Sequence, residues 1–416
     1  MKRVFLGVLV LATTFALSAW STETRVTTLG DANNVVKDEA GIFIYPALIL
    51  DFSDLVLGEI GQVSIGGGLV ETQLYRLGAH IDLGNQIGVL GLYLDRKPYS
   101  LDGVNYRPNI NGNGIDHRIG LFYGRPFGDI DFGLGFILYR DSYSAEQFLS
   151  SDTTIVYDYS EDTQLQNTNW KLLLGSSLME KRLDIGVSIE KDSWKYTDVA
   201  GEDITKPNGS TSFVLASRYW FARSESMNLI PHFTLKLTSV GYDSIFRVLT
   251  NDGEMRYKSK TTDLDLGIGL NLRPRDNILL IGDLGVDFIS WSEEVKISIT
   301  GSSDNYNWNR PSSYLPYFRM GLEAKLCKWC DIRLGAVRRW VRSTIEFPSD
   351  YQWPAQDRTE RYGYATTTTY VGSGIHLGDL SLDLWMDPDL LLHGPYLVSG
   401  ATSNFLYMMS VKYSWK

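Results

Sequence analysis

The sequence specifies an all-β fold, a transmembrane antiparallel β-barrel of about sixteen strands, with fourteen as the alternative count. Three observations predict it. Apolar and polar residues alternate with period two in one segment after another. The links between those segments alternate between very short and long. Past the N-terminus, no run of eighteen or so apolar residues could cross a membrane as a helix.

The chain opens on "MKRVFLGVLVLATTFALSAW", with basic Lys2 and Arg3, an apolar run from Val4 to Leu17, and small residues at Ala16, Ser18 and Ala19. This is the pattern of a secretory signal peptide over 1–19. Residues 20–54 form a separate segment, expected either below the barrel in the periplasm or inside its lumen as a plug. The barrel is expected over 55–416. Neither a proline-rich linker nor a charge block divides the chain. A net charge of -10 argues against nucleic acid as a partner.

Strands are expected near 55–61, 75–83, 86–96, 115–125, 129–142, 168–179, 183–196, 212–222, 228–243, 261–273, 278–292, 314–326, 331–343, 363–377, 380–387 and 405–415. In the row 263–272, Leu264, Leu266, Ile268, Leu270 and Leu272 alternate with Asp263, Asp265, Gly267, Gly269 and Asn271. Leu183, Ile185, Val187 and Ile189 likewise alternate with Asp184, Gly186, Ser188 and Glu190. Successive strand side chains point to opposite faces, so each row has a lipid side and a wet side. Short turns fall at Gly84-Asn85, Phe127-Gly128, 180–182, 275–277 and Gly378-Asp379, at the periplasmic end. Long polar segments near 97–114, 145–166, 199–210, 249–259, 300–312 and 345–361 are expected as extracellular loops.

The last strand, "FLYMMSVKYSWK", places Phe405, Tyr407, Met409, Val411, Tyr413 and Trp415 on one face. Pairing with the first strand would leave no open edge. The stretch resembles the C-terminal assembly signal of Gram-negative outer-membrane proteins, with Tyr413 and Trp415 at the periplasmic interface and Lys416 following. That resemblance implies the barrel-assembly machinery as a partner during biogenesis, beside outer-membrane lipid.

Solute passage should be decided on the wet face. Candidate lumen-wall residues are Lys236, Asp283, Asp287, Arg319, Glu323, Lys325 and Arg333, with His232 on the face of Lys236. They read either as a charged constriction that selects small solutes or as ion pairs of a solvated wall. No cofactor and no metal site are expected, and no enzyme activity. The five histidines are scattered, and no G-x-S-x-G motif accompanies them. Cys327 and Cys330, in "CKWC", are the only cysteines and sit at an expected periplasmic turn. In an oxidising periplasm a local disulfide is the expected state. "NYNWN" (305–309) and "DYQWP" (350–354) set aromatic rings beside amides in expected loops, as sugar-stacking surfaces or as loop packing. "SDTTIVYDYSEDT" (151–163) is acidic without the spacing of a calcium loop.

Thr24 to Gly61 precedes the clear alternation and is too apolar for a loose tail. Ile42, Ile44, Leu48 and Leu50 require burial. Its "GD…KDEAGIFIYPA" resembles the N-terminal segment of FadL-type hydrophobic-solute transporters through Gly30, Asp38, Ala40, Pro46 and Ala47, with Tyr45 where that family's "NPA" turn has asparagine. The resemblance implies a plug or hatch over a pore. The function expected is therefore an outer-membrane channel or transporter for passive passage of small solutes. A non-conducting scaffold barrel that binds partners through its loops or N-terminus is the alternative; oligomeric state is left open.

Overall fold

The computed structural model describes residues 22–64, 71–84, 87–98, 115–145, 163–197, 203–224, 226–248, 251–299, 302–347, 358–386, 388 and 406–415. The expected signal peptide, the "DYQWP" stretch and the bulk of 151–163 lie outside the described residues, as do 99–114 and 348–357.

The strand segments are β1 (Leu55–Ser64), β2 (Glu71–Asp82), β3 (Val89–Pro98), β4 (Ile115–Phe127), β5 (Ile130–Ala145), β6 (Thr163–Leu178), β7 (Leu183–Lys191), β8 (Trp194–Thr197), β9 (Asp203–Pro207), β10 (Thr211–Tyr219) and β11 (Phe221–Ser224). They continue with β12 (Met227–Val248), β13 (Asn251–Arg275), β14 (Ile278–Ile299), β15 (Ser302–Cys327), β16 (Cys330–Phe347), β17 (Arg358–Leu377), β18 (Leu380–Met386) and β19 (Leu406–Ser414). β7 runs on into β8, and β9 through β11 form one broken line, so the segments make sixteen staves. All neighbours are antiparallel. β1 pairs with β2 on one side and with β19 on the other, Leu55 opposite Ser414, which closes the barrel. The fourteen-strand alternative falls because β1 is a full stave.

The alternation maps onto the wall as expected. Leu77, Leu92, Leu121, Leu266, Ile268 and Leu284 point outward and are exposed, whereas Arg76, Tyr93, Phe122 and Asp283 point inward and are buried. Closure pairs the strand backbone within the wall, and the apolar exterior suits it to lipid. The chain is a β-barrel of the bacterial outer membrane.

Two loop expectations fail outright, and β9 takes part of a third, 199–210. β13 begins at Asn251 and β15 at Ser302, so the long loops expected at 249–259 and 300–312 are strand instead. "NYNWN" accordingly belongs to β15, where Asn305 to Asn309 pair with Lys296 to Ser292. β12 to β15 are 22, 25, 22 and 26 residues long, roughly double the 9–11 that cross a bilayer. The surplus rises as a sheet on the long-loop side. On β13 and β15 that surplus is mainly polar on both faces, so period-two hydrophobicity fades there and the stretches imitate loops.

The short turns lie at Gly128-Asp129, Met179–Arg182, Asp276-Asn277, Lys328-Trp329 and Gly378-Asp379. Cys327 and Cys330 are register partners across Lys328-Trp329. Both are free thiols, so the expected bridge is not formed.

Residues 22–54 lie within the barrel at the short-turn end. They comprise a short helix α1 (Glu23–Thr28) and two 3-10 turns, Glu39–Phe43 and Pro46–Asp51. α1 packs against β16 to β19, and the second 3-10 turn packs against β3 to β6 on the other side. The segment thus crosses the lumen.

Candidate functional site

Each bend of the segment has a local cause. Thr22 caps α1, its Oγ1 accepting the Arg25 N–H at 3.4 Å. Gly30 and Asp31 then take positive φ, 86° and 57°, and turn the chain back. Asp38 caps the first 3-10 turn, accepting the Ala40 N–H at 3.4 Å. Pro46 opens the second, where its missing N–H costs nothing.

Two apolar clusters seat the segment. Ile42, Tyr45, Leu48, Ile49 and Phe52 pack on Tyr93, Phe122, Ile137 and Leu173. Phe43 meets Tyr93 and Phe122 edge-on, with centroids 5.0 and 5.2 Å apart. Across the lumen, Leu29, Ala32, Val35 and Val36 pack on Ile230, Leu279 and Ile281. Inward glycines let the two backbones approach. A Cβ at Gly186 would overlap the Ile44 carbonyl, one at Gly133 the Ala47 nitrogen, and one at Gly269 the Val35 side chain. The glycine-rich inner face, read from sequence as water-lined wall, is in this half a socket for the segment.

Four cationic side chains then clamp it. Arg218 donates to the carbonyls of Asn33 at 2.7 Å and Val36 at 2.8 Å while pairing with Asp184 at 2.9 Å. Arg76 pairs with Glu23 of α1 at 2.5 Å and with wall residues Glu59 and Asp95 at 3.2 and 3.1 Å. Arg25 reaches from the segment to Glu323 at 2.5 Å and to its neighbour Asp38 at 3.5 Å. Burial opposes the charge on Arg25, but Glu323 and Asp38 outweigh it and hold the guanidinium charged more firmly than usual. Lys181, at a periplasmic turn, joins Asp51 at 2.6 Å to Asp131 at 3.0 Å.

The expected plug residues fall into this frame. Asp38 and Ala40 are buried at the first 3-10 turn; Tyr45, Pro46 and Ala47 are buried at the second. Gly30 sits against Gly335 of β16. Tyr45, the departure from the family pattern, lies under the Arg218 guanidinium at 4.6 Å from the ring centre. Burial pushes its hydroxyl up to about 12. Burial likewise raises the Glu39 carboxyl well above its usual value, with adjacent Asp38 adding to the effect.

Most of the expected wall residues are engaged beside the segment. Asp283 takes His232 Nε2 at 2.9 Å and Arg319 at 3.0 Å, while Asn34 of the segment stands 3.4 Å from His232 Nδ1. Donation from Nε2 leaves Nδ1 to accept from the Asn34 amide. Arg333 joins Glu323, Asp331 and Asp383 at 2.8, 3.0 and 2.5 Å, and Thr22 donates to Asp383 at 3.0 Å. These are wall ion pairs that close around the segment. Asp287 faces inward on β14 and is half-buried. Lys325 is exposed at the turn end, away from the lumen's interior. Tyr413 and Trp415 stack on the outer face at the short-turn end, 6.1 Å between centroids.

Lys236 borders open space inside the barrel. It lines a cavity of about 400 Å³ floored by Phe43 and Ile44 of the segment. Arg118, Tyr139, Lys171 and Glu190 contribute the wall. Lys171 stands 3.5 Å from Glu190, Lys236 is 3.8 Å from Asp263, and the Arg118 guanidinium lies 4.7 Å over the Tyr139 ring. Three cations, two of them beside the carboxylates Glu190 and Asp263, therefore surround an apolar floor. Sequence reasoning missed Arg118, Lys171 and Glu190. Each occupies a wet-face position of an expected strand, but only strand register shows that they converge.

No known family profile matches the chain, and no curated protein matches it. Among solved structures it is similar to the ferric yersiniabactin uptake receptor FyuA from Yersinia pestis, at 8% identity and a TM-score of 0.39, covering 87% of this chain and 80% of that one. It is also similar to the FrpB iron transporter from Neisseria meningitidis, at 9% identity and a TM-score of 0.34, covering 89% and 84%. The siderophore receptor PirA from Acinetobacter baumannii gives 7% identity and a TM-score of 0.29, covering 87% and 80%. The fold and location of this chain rest on its own closure and apolar exterior.

Proposed function

We propose that the chain is an outer-membrane channel for passive passage of small solutes, with residues 22–54 as the plug that closes its periplasmic half. The observation that carries this is the cavity whose floor is the segment itself. A solute entering from outside would meet Phe43 and Ile44 before it could go further. Arg118, Lys171 and Lys236 offer cationic groups that a solute carboxylate would share with their present partners, which favours a solute with a negative charge, and the floor favours an apolar body. The resemblance to the FadL-type N-terminal segment supports a hatch of this kind. Passage requires no cofactor, only displacement of the plug or a shift of its Phe43–Tyr45 corner. Tyr413 and Trp415 would serve the assembly machinery.

Flux into proteoliposomes tests the reading. Small aromatic carboxylates should enter faster than matched aromatic amines, and a Lys171→Gln/Lys236→Gln variant should narrow that preference. Equal entry of both, unchanged in the variant, would remove the cavity from the pathway.

A scaffold reading is favoured by one feature, the tall sheet of β12 to β15, which rises well beyond any bilayer requirement. It predicts a folded barrel that passes nothing even without its plug.

A further inference from the structure

The lipid-facing side of β16 and β17 carries a cluster that neither the lumen nor the plug uses. Outward positions on β16 run Ile332, Leu334, Ala336, then Arg338, Trp340, Arg342 and Thr344. Facing the last four on β17 are Thr367, Ala365, Gly363 and Arg361. The change from aliphatic to cationic comes about nine residues above the Lys328-Trp329 turn. At a rise of ~3.3 Å and a tilt near 40°, that is roughly 23 Å, close to the ~25 Å height of an outer-membrane apolar band. Two other staves change at similar heights. β5 runs Ile130, Phe132, Leu134, Phe136, Leu138 and then Arg140, and β7 runs Leu183 to Ile189 and then Lys191. Arg338 therefore stands at the outer lipid boundary, with Arg342 and Arg361 among the headgroups above it.

The geometry there is open and oriented. Arg338 lies 5.1 Å over the Trp340 ring and donates to Thr367 at 3.1 Å, which fixes its direction along the surface. Gly363, paired with Arg342, has nothing within 4 Å of where a Cβ would stand. Arg338, Arg342 and Arg361 are exposed. No acidic residue shares their outward rows between Ile332 and Thr344 or between Arg361 and Ile375; Glu346, one step higher on β16, is the first. In a chain of net charge -10, Arg342 and Arg361 beside the open Gly363, with Arg338 four residues lower on β16, complement a negative charge carried by lipid.

We propose that Arg338, Arg342 and Arg361 bind the phosphate groups of a phosphorylated glycolipid in the outer leaflet. Guanidinium forks match phosphate oxygens bidentately. Trp340 would lie at the junction of headgroup and acyl chains, where amphipathic rings are favoured. Leu334 and Ala336 would lie along the acyl chains. The site is independent of what the lumen passes.

The folded protein in detergent should be titrated with bis-phosphorylated lipid A, with its dephosphorylated form and with inorganic phosphate, each followed by native mass spectrometry. The phosphorylated lipid should bind, and the dephosphorylated form should bind roughly tenfold or more weakly. An Arg338→Gln/Arg342→Gln/Arg361→Gln variant should lose a similar factor, single Arg342→Gln less, and Arg182→Gln at the opposite end nothing. Three results would overturn the proposal: equal binding by the triple variant, equal binding of the dephosphorylated lipid, or inorganic phosphate binding as tightly as the lipid.

Discussion

The periplasmic half and the outer half of this barrel are built from the same alternating strands yet are opposite in kind. In the lower half the inward positions are glycine, arginine, carboxylate and apolar side chains such as Phe122 and Leu279, and they close on residues 22–54 with little space left. In the outer half the strands continue past the bilayer, and 361–369 of β17 are exposed on both faces. Period-two alternation determines which way a side chain points. What it meets there depends on height along the barrel, which alternation does not encode.

This contrast makes the two halves respond differently to substitution. The largest expected effect is at Arg218, fully buried between Asp184 and the carbonyls of Asn33 and Val36. Arg218→Ala strands a buried carboxylate and should cost about 3–5 kcal/mol in urea unfolding from micelles. Lys236→Ala in the cavity should cost far less, because Lys236 is partly exposed there. Similar losses at both positions would erase the distinction between clamp and open wall.

On the lipid face, Ile268→Arg should cost roughly 2–4 kcal/mol if its side chain sits near the bilayer midplane. Thr234→Arg, which points into the cavity, should fold nearly as the parent does. Gly267→Arg also points inward but would meet the His232 ring and the Tyr317 hydroxyl, so it should not be benign. A benign result there would show that the lower half is looser than described.

Gly186→Leu sharpens the comparison further. Its side chain has no room beside the Ile44 carbonyl, and overpacking of this kind typically costs about 1–3 kcal/mol. The expected outcome is a folded barrel with a displaced plug, seen as protease cleavage within 22–54 while the strands stay protected. Unchanged protection would mean that the segment does not depend on the glycine socket.

The smallest effect concerns pH. Burial and Asp38 raise the Glu39 carboxyl above its usual value near 4.5, so the folded state favours its protonated form. The stability this contributes is present below that usual value and is lost as pH rises through the raised one. Melting temperature should therefore fall with rising pH more in the parent than in Glu39→Gln. Parallel curves would contradict the assignment.

The fold was legible because membrane barrels write their wall as alternation. The row Asp263 to Leu272 shows which residues meet lipid without any structure. The tall sheet was not legible, because above the bilayer Lys258, Ser259, Lys260 and Thr261 alternate without hydrophobic contrast. Burial of Ile42 and Leu48 was legible from their apolarity alone. The clamps were not: Arg218 and Arg76 lie on wet-face positions like any solvated wall residue, and only folding shows that Asn33, Val36 and Glu23 meet them. The same holds for the cavity, whose cations come from three separate staves.

Single-channel conductance in planar bilayers tests the central claim most directly, comparing the folded barrel with residues 22–54 present and one lacking Thr24–Asp54. The plug account predicts small or no current from the first and a large steady current from the second. A truncated barrel that is folded, inserted and silent would contradict it, as would equal currents from both.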